Sequence, residues 1–99
     1  MPAYLIVNIE VKDPEKFKAY TDATPSILKK YSGKFLARGG EYIEVEGDWH
    51  PKRVTIIEFD DFEKAKAFYH SEEYKPLIEL RQSASKADFV IVDGISKPI

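Results

Sequence analysis

The chain has 99 residues, a formal net charge of −2 and no cysteine. This length suits a single domain over residues 1–99, with one core spanning roughly residues 3–94. Because both signs of charge are interspersed, neither a nucleic-acid partner nor a membrane surface is expected. The lack of cysteine excludes disulfides and thiolate chemistry, and the absence of long apolar or signal-type segments leads us to expect a cytoplasmic protein.

The first predicted element is a strand over residues 4–11. Its apolar side chains alternate, so one face is uniformly hydrophobic and the other is mixed. The hydrophobic face carries Leu5, Val7, Ile9 and Val11. The mixed face carries Tyr4, Ile6, Asn8 and Glu10.

A helix is predicted after this strand. Asp13 can cap it, and Pro14 suits its first position because proline needs no hydrogen-bond partner there. Gly33 is placed to end it. We expect Pro25 to kink the helix near residues 23–24, because proline lacks the N–H that the helix needs. The apolar positions at helical spacing are Phe17, Tyr20, Ile27, Leu28 and Tyr31.

The middle of the chain predicts two further strands separated by glycines. The second strand covers residues 34–38, and a continuation over residues 42–46 is possible after the Gly39-Gly40 break. Adjacent glycines in a strand are typical of a bulge or of a close backbone approach. The third strand covers residues 53–59.

The C-terminal part predicts two helices and a last strand. Asp60 can cap the first helix, with Glu63 as its capping-box partner. Pro76 can begin a short second helix that runs through Arg81. The fourth strand covers residues 89–93. The apolar stripe of the first of these helices is Phe62, Ala65, Phe68 and Tyr69.

The order β-α-β-β-α-β is typical of an α+β fold with a ferredoxin-like antiparallel sheet. Helices cover only one face of such a sheet. The other face would carry Tyr4 and Ile6 and is too apolar to remain open, so a partner is the simplest cover.

Several short motifs make the chain similar to a known bacterial family. They are Arg38-Gly39-Gly40, Glu46-Gly47, Pro51-Lys52-Arg53, Ile57-Glu58-Phe59, Ser71-Glu72-Glu73-Tyr74 and Leu80-Arg81. The chain resembles domain-of-unknown-function family 1330 of the dimeric α/β-barrel superfamily. It departs at Tyr31-Ser32-Gly33, where the family more often has two glycines. The resemblance implies a homodimeric α/β barrel around a central cavity, and it implies no particular reaction.

Arg38 is the first candidate ligand-binding residue. Its guanidinium could hold a small anion, with the N–H groups of Gly39 and Gly40 assisting. Alternatively, it could pair with Glu46 or Glu58 across the sheet. Strand alternation puts Arg38 on the face of Leu36, opposite Phe35 and Ala37, and the sequence leaves open which face meets the helices.

Glu58 and His50 are the candidate catalytic residues for proton transfer. Glu58 lies in an apolar strand, where burial could raise its pKa. Alternatively, it could form an ion pair with Arg38 or Arg53. His50 has a suitable ordinary pKa, or is simply an exposed turn residue.

The remaining polar candidates have smaller expected roles. Tyr74 and Arg81 could shape the entrance of the cavity. His70 near a helix end could interact with the helix dipole. Pro2 would be a base only if Met1 were removed. Tyr20 and Tyr69 match core stripes and are interpreted as packing residues.

The two histidines lack metal-ligand spacing, so neither a metal site nor a cofactor is expected. The leading hypothesis is a cofactor-independent enzyme that acts on a small carboxylated or enolisable metabolite in the cavity of a homodimer. The alternative is a non-catalytic module that binds a small anionic ligand or another partner in the same cavity.

Overall fold

The computed structural model describes residues 1–97 and contains seven regular elements. Pro98 and Ile99, the last residues of the predicted domain, lie outside the described residues. None of the described helices is long and apolar enough to cross a bilayer. In chain order the elements are β1 (Ala3–Val11), α1 (Pro14–Lys30), β2 (Lys34–Arg38), β3 (Val54–Phe59), α2 (Phe62–Tyr69), α3 (Lys75–Ala84) and β4 (Ser85–Asp93).

The four strands form one antiparallel sheet in the order β2-β3-β1-β4, which confirms the ferredoxin-like fold. Strand β1 lies in the interior of the sheet, between β3 and β4. Alternate residues of β1 are buried, and they face the helices as the sequence pattern predicted. The buried apolar core is Ala3, Leu5, Val7, Ile9, Phe17, Tyr20, Leu28, Ile57, Phe59, Ala65, Phe68, Tyr74 and Ala84.

Helix α1 begins as predicted and ends earlier than predicted. The Asp13 side chain accepts a hydrogen bond from the Lys16 N–H (3.2 Å). The helix ends at Lys30, and Ser32 rather than Gly33 has a positive φ of 65°. Gly33 instead approaches Leu28 closely, since a Cβ there would lie 2.8 Å from a Leu28 methyl. Pro25 lies inside α1, and the kink expected there stays a prediction.

Two predicted boundaries are wrong in the C-terminal half. Asp61, not Asp60, caps α2 by accepting a hydrogen bond from the Lys64 N–H (2.8 Å). Strand β4 begins at Ser85 rather than Phe89, because it pairs with β1 along its whole length. The polar residues at its start are held by this ladder and carry no strand pattern of their own.

The predicted strand continuation over residues 42–46 does not form. The last β2–β3 contact is the Gly39 N–H donating to the Val54 carbonyl (2.9 Å). Residues 40–50 then form an exposed irregular loop. Without a neighbouring strand, this part of the chain has no ladder to join.

A β-bulge at Leu36 changes which side chains β2 presents to the helices. Phe35 pairs with Ile57, but Ala37 pairs with Ile56, so one residue of β2 is extra. The bulge puts Arg38 on the same face as Phe35, and that face meets the helices. The prediction from simple alternation, Arg38 beside Leu36, is therefore wrong, because a bulge shifts the alternation by one residue.

Two tyrosine hydroxyls meet inside the core. The hydroxyl oxygens of Tyr20 and Tyr74 are 2.5 Å apart, and both residues are buried. Burial raises the pKa of both phenols. The charge of nearby Arg81 opposes this rise in pKa without cancelling it. Both phenols therefore stay protonated at neutral pH and well into the alkaline range.

The left-handed backbone of Gly39 generates a stability prediction. Gly39 has a φ of 64°, whereas Gly40 does not have a positive φ and a Cβ on it would meet nothing within 4 Å. We expect Gly39→Val to lower the free energy of unfolding by about 2 kcal/mol, because a β-branched side chain is strained in this region. Gly40→Val is the matched control. Its free energy of unfolding, measured by urea melts, should lie within about 0.5 kcal/mol of the wild-type value. Equal stability of the two variants would contradict the assignment of strain to Gly39.

The buried phenols predict a loss of stability at alkaline pH. Above about pH 10 the unfolded chain releases the Tyr20 and Tyr74 protons while the folded chain keeps them. The free energy of unfolding should then fall by up to about 1.4 kcal/mol per pH unit for each tyrosine until the folded-state pKa is reached. Urea melts between pH 9 and pH 11.5 should show a shallower fall for Tyr74→Phe. Tyr42→Phe, at an exposed ring, is the control, and a wild-type slope in Tyr74→Phe would refute the linkage.

Candidate functional site

A small cavity lies between the helix-covered face of the sheet and helix α1. Its volume of about 40 Å³ gives room for roughly three water molecules. Most of its walls are apolar. The lining side chains are Leu5, Val7, Ile9, Phe17, Tyr20, Thr21, Thr24, Phe35, Arg38, Arg53, Thr55, Ile57, Phe68, Tyr74 and Phe89.

Two arginines form the solvent-facing side of this cavity. The Arg38 guanidinium lies 4.3 Å from the Phe35 ring centre, on the face that the bulge creates. The Arg53 guanidinium is 5.7 Å from the Phe17 ring centre and packs against the backbone of Gly39. Arg38 is exposed and Arg53 is partly exposed, so both guanidinium groups lie at the mouth of the cavity.

The inner end of the cavity carries the tyrosine pair. Tyr74 is fully buried and Tyr20 nearly so, which places their hydroxyls away from the mouth. Arg81 is 3% exposed, and its guanidinium carbon lies 4.0 Å from the Phe89 ring centre. Its Nε has no hydrogen-bond partner among residues 1–97. The charge of this buried guanidinium partly opposes the rise that burial causes in the pKa of both phenols.

The three arginines share one electrostatic property. Within the described part of the chain, none of them forms an ion pair, while the ion pairs that do form use lysines or His50. Buried or half-buried cations normally have an anionic partner, because desolvation is costly. The positive charge around the cavity is therefore available to an anion.

Neither predicted catalytic residue reaches the cavity. Glu58 pairs with Tyr4 and Lys34 in the ladders, so its side chain lies on the open face of the sheet. His50 lies in the exposed loop, with its Nδ1 2.5 Å from an oxygen of Glu44. The third proton-transfer candidate, Pro2, does not line the cavity.

Some of the predicted ligand-binding residues line the cavity and others do not. Arg38 and Tyr74 line the cavity, whereas Gly39 and Gly40 do not. Tyr74 and Arg81 lie at the inner end, which corrects their predicted position at the entrance. Both are buried because the α3 helix covers this end of the sheet rather than leaving it open.

Arg53 was considered only as a partner of Glu58, and Tyr20 is a second site residue that the sequence interpretation missed. Its position in a helical apolar stripe indicated a packing residue. A usable signal was present, because Tyr20 and Thr24 put two hydroxyls four residues apart on one helix face. In the structure the Thr24 hydroxyl donates to the Tyr20 carbonyl (2.7 Å).

The chemical capacity of the cavity follows from its polar groups. Guanidinium groups and protonated phenols donate hydrogen bonds and stabilise negative charge. Within residues 1–97, the side chains that line the cavity include no carboxylate and no imidazole. Among the residues described, no group of three or more histidine, aspartate or glutamate side chains could hold a metal ion. The polar groups of the cavity can therefore offer positive charge and hydrogen-bond donors to an anion.

Several solved structures of other proteins have the same fold as this chain. A protein of unknown function from Rhodopseudomonas palustris, RPA0582, is 17% identical with a TM-score of 0.77, over 98% of this chain and 84% of that chain. SnoaB, a cofactor-independent oxygenase from Streptomyces nogalater, is 13% identical with a TM-score of 0.67, over 97% and 95%. An uncharacterised NIPSNAP domain protein from Burkholderia xenovorans is 14% identical with a TM-score of 0.57, over 97% and 96%.

The sequence of the chain matches the model of one protein family. No match was found among curated proteins. The family model described as a domain of unknown function, DUF1330, matches residues 2–95, which is nearly the whole chain. The resemblance noted in the short motifs is confirmed. The chain belongs to the DUF1330 family.

Proposed function

We propose that this protein is a cofactor-independent enzyme that acts on a small carboxylated or enolisable molecule held in the cavity. One observation carries the proposal. The chain has only three arginines, all three lie at or directly behind this cavity, and none has a carboxylate partner among residues 1–97. A ligand carboxylate would supply the missing negative charge.

The mouth suits a carboxylate with an apolar body. Arg38 and Arg53 can each offer a planar fork of donors, the geometry that matches a carboxylate. The aromatic rings of Phe17 and Phe35 lie beside these guanidinium groups and continue into apolar walls. A small ligand would therefore bind its charge at the mouth and its carbon chain inside.

The inner end suits an oxygen on which negative charge develops. The Tyr20–Tyr74 pair stays protonated because burial raises the pKa of both phenols. Preorganised donors of this kind stabilise an enolate oxygen more than a neutral carbonyl oxygen. Among the described residues, the cavity lining has no carboxylate or imidazole to act as a base. The C–H proton next to the ketone would therefore pass to solvent water at the mouth, while the tyrosine hydroxyls stabilise the enolate oxygen that forms.

The comparisons support this reaction class only through the fold. SnoaB is described as a cofactor-independent oxygenase, and the two chains share the fold at 13% identity. A shared fold does not transfer a reaction. The support for catalysis in this chain is therefore the donor geometry of its own cavity.

The second candidate is a non-catalytic module that binds the same class of ligand. It is favoured because the described residues that line the cavity include no carboxylate or imidazole base. An enzyme and a binding module would share the anion contacts at the mouth. In an enzyme the Tyr20–Tyr74 pair would promote a reaction of the ligand, whereas in a binding module the ligand would be released unaltered.

The role of Arg38 can be tested by ligand binding. We expect Arg38→Ala and Arg38→Lys to weaken binding of small carboxylates about 10- to 100-fold, because hydrogen bonds to a charged group contribute about 1.5–3 kcal/mol. The melting temperature should hardly change, since Arg38 is exposed and forms no ion pair among residues 1–97. Titration calorimetry with oxo acids of three to five carbons would measure this. Lys34→Ala is the matched control, because it removes a positive charge from the same strand but on the open face. Its affinity for small carboxylates should equal that of the wild-type protein.

Proton exchange then separates the two candidates. The oxo acids that bind are incubated with the protein in deuterated water, and exchange of the protons next to the ketone is followed by NMR. An enzyme should accelerate this exchange, and Tyr74→Phe should reduce the acceleration while binding persists. No acceleration would favour the binding module, and normal binding by Arg38→Ala would contradict both candidates.

We also propose that the functional form is a homodimer in the cytoplasm. The face of the sheet away from the helices exposes several apolar side chains. Val90 is more than half exposed there, and Ile6, which pairs with it, is partly exposed. A second copy packed on this face would bury them symmetrically.

The dimer proposal predicts the effect of a charge on the open face. Val90→Glu should convert a dimer into a monomer in light scattering at micromolar concentration, because an unpaired carboxylate would be buried at the interface. Ala19→Glu, at an exposed position of α1, is the matched control and should remain dimeric. A monomeric wild-type protein would refute the proposal.

A further inference from the structure

One threonine hydroxyl in the wall of the cavity has no partner in the described protein. Thr55 lies in β3, is only 7% exposed and lines the cavity. Its hydroxyl forms no hydrogen bond within residues 1–97. Among the same residues, Arg81 Nε is the only buried side-chain polar atom that lacks both a partner and contact with open space. The Thr55 hydroxyl therefore keeps contact with open space, and the space that its side chain lines is the cavity.

The other two threonines that line the cavity use their hydroxyls inside helix α1. The Thr21 hydroxyl donates to the Lys18 carbonyl (3.0 Å), and the Thr24 hydroxyl donates to the Tyr20 carbonyl (2.7 Å). Such bonds to a carbonyl one turn earlier are typical of threonine in a helix, and a strand offers no equivalent carbonyl. Of the three hydroxyls, the one on Thr55 is therefore the donor that is available to a ligand.

The strand register places Thr55 beside the arginines of the mouth. Thr55 pairs with Arg38 in the β2–β3 ladder, which puts the two Cβ atoms about 5 Å apart on one face of the sheet. Arg53 precedes Thr55 by two positions and lines the same cavity. On its other side Thr55 pairs with Val7, which is buried and apolar. Because Arg38 is exposed, Arg53 is partly exposed and Thr55 is buried, the hydroxyl lies deeper than the two guanidinium groups.

We infer that Thr55 is a third anion-binding residue of this site, whose hydroxyl donates to the inward oxygen of a ligand carboxylate that Arg38 and Arg53 hold at the mouth. The inference rests on the proposed function and deepens it. A carboxylate has about four lone-pair sites and can accept from all three groups. The guanidinium groups supply charge from the solvent side, and the hydroxyl supplies a donor from the floor.

This arrangement selects the head group of the ligand. In the free protein the Thr55 hydroxyl can bond to water, since the cavity has room for roughly three water molecules. A carboxylate oxygen replaces this water by a charged acceptor, and hydrogen bonds to charged acceptors are the stronger ones. A primary amide of the same shape would turn N–H groups toward the guanidinium donors. The site therefore takes free carboxylates rather than their amides.

Thr55→Val tests the hydroxyl, because valine keeps the branched shape of threonine and removes only the donor. We expect the affinity for both pyruvate and propanoate to fall about tenfold in titration calorimetry, since the lost bond is to the carboxylate that both probes share. Thr55→Ala should show the same loss, and Thr55→Ser should restore the affinity. Thr21→Val is the matched control. It also removes a hydroxyl from the cavity lining, but one that is already used inside α1, so it should bind both probes like the wild-type protein.

The melting temperature of the ligand-free protein gives a second readout, which a structural role would move in the opposite direction. Thr55→Val should melt no lower than the wild-type protein, because removing a hydroxyl that has no protein partner leaves no group unpaired and valine suits a strand. A lower melting temperature with unchanged affinity for pyruvate would overturn the inference. A loss of affinity for pyruvate alone would also overturn it, because the hydroxyl would then contact the ketone. In both cases binding that depends on Arg38 would leave the proposed function standing, whereas no carboxylate binding by the wild-type protein would overturn the proposed function and the inference together.

Discussion

The strict alternation of β1 between its two neighbours is the constraint on which the rest of the molecule depends. Nine residues of β1 pair with β4, and six of them also pair with β3. Every second side chain is consequently directed to the helices, where Leu5, Val7 and Ile9 form both the centre of the core and the floor of the cavity. A slip of one residue would move this whole set to the open face. The core and the cavity therefore have the same origin.

The bulge at Leu36 brings the positive charge of Arg38 to the edge of this apolar cavity. One extra residue in β2 moves Arg38 to the helix side, opposite Thr55, while Phe35 keeps its place there. The left-handed Gly39 follows at once and leaves space for the Arg53 side chain. Two cations are thus held at the mouth of an apolar cavity by backbone geometry, and neither forms an ion pair among residues 1–97.

The two ends of the cavity differ in what they can do chemically. The mouth carries positive charge in contact with water, where salt and solvent weaken the attraction to an anion. At the inner end, water is largely excluded, and a hydrogen bond from the tyrosine pair is stronger. A ligand that spans the cavity would use the first end for recognition and the second for stabilising charge on an oxygen. Such a division suits small bifunctional anions.

Much of the fold was predictable from local sequence signals. The alternation of β1, the cap at Asp13 and the order of elements each depend on residues that are close together in the chain. The family was recognisable for the same reason, since its motifs are short. Arg38 also stood out at a strand end beside two glycines. These features were determined by the sequence alone.

Only the tertiary structure decided which polar side chains meet. The bulge depends on the pairing of β2 with β3, so simple alternation placed Arg38 on the wrong side. Glu58 has the sequence context of a catalytic carboxylate, but pairing puts it on the open face. Tyr20 and Tyr74 are 54 positions apart, and no local pattern shows that their hydroxyls touch. Contacts between distant residues are set by how the elements pack, and that information is not contained in the spacing of either residue's neighbours.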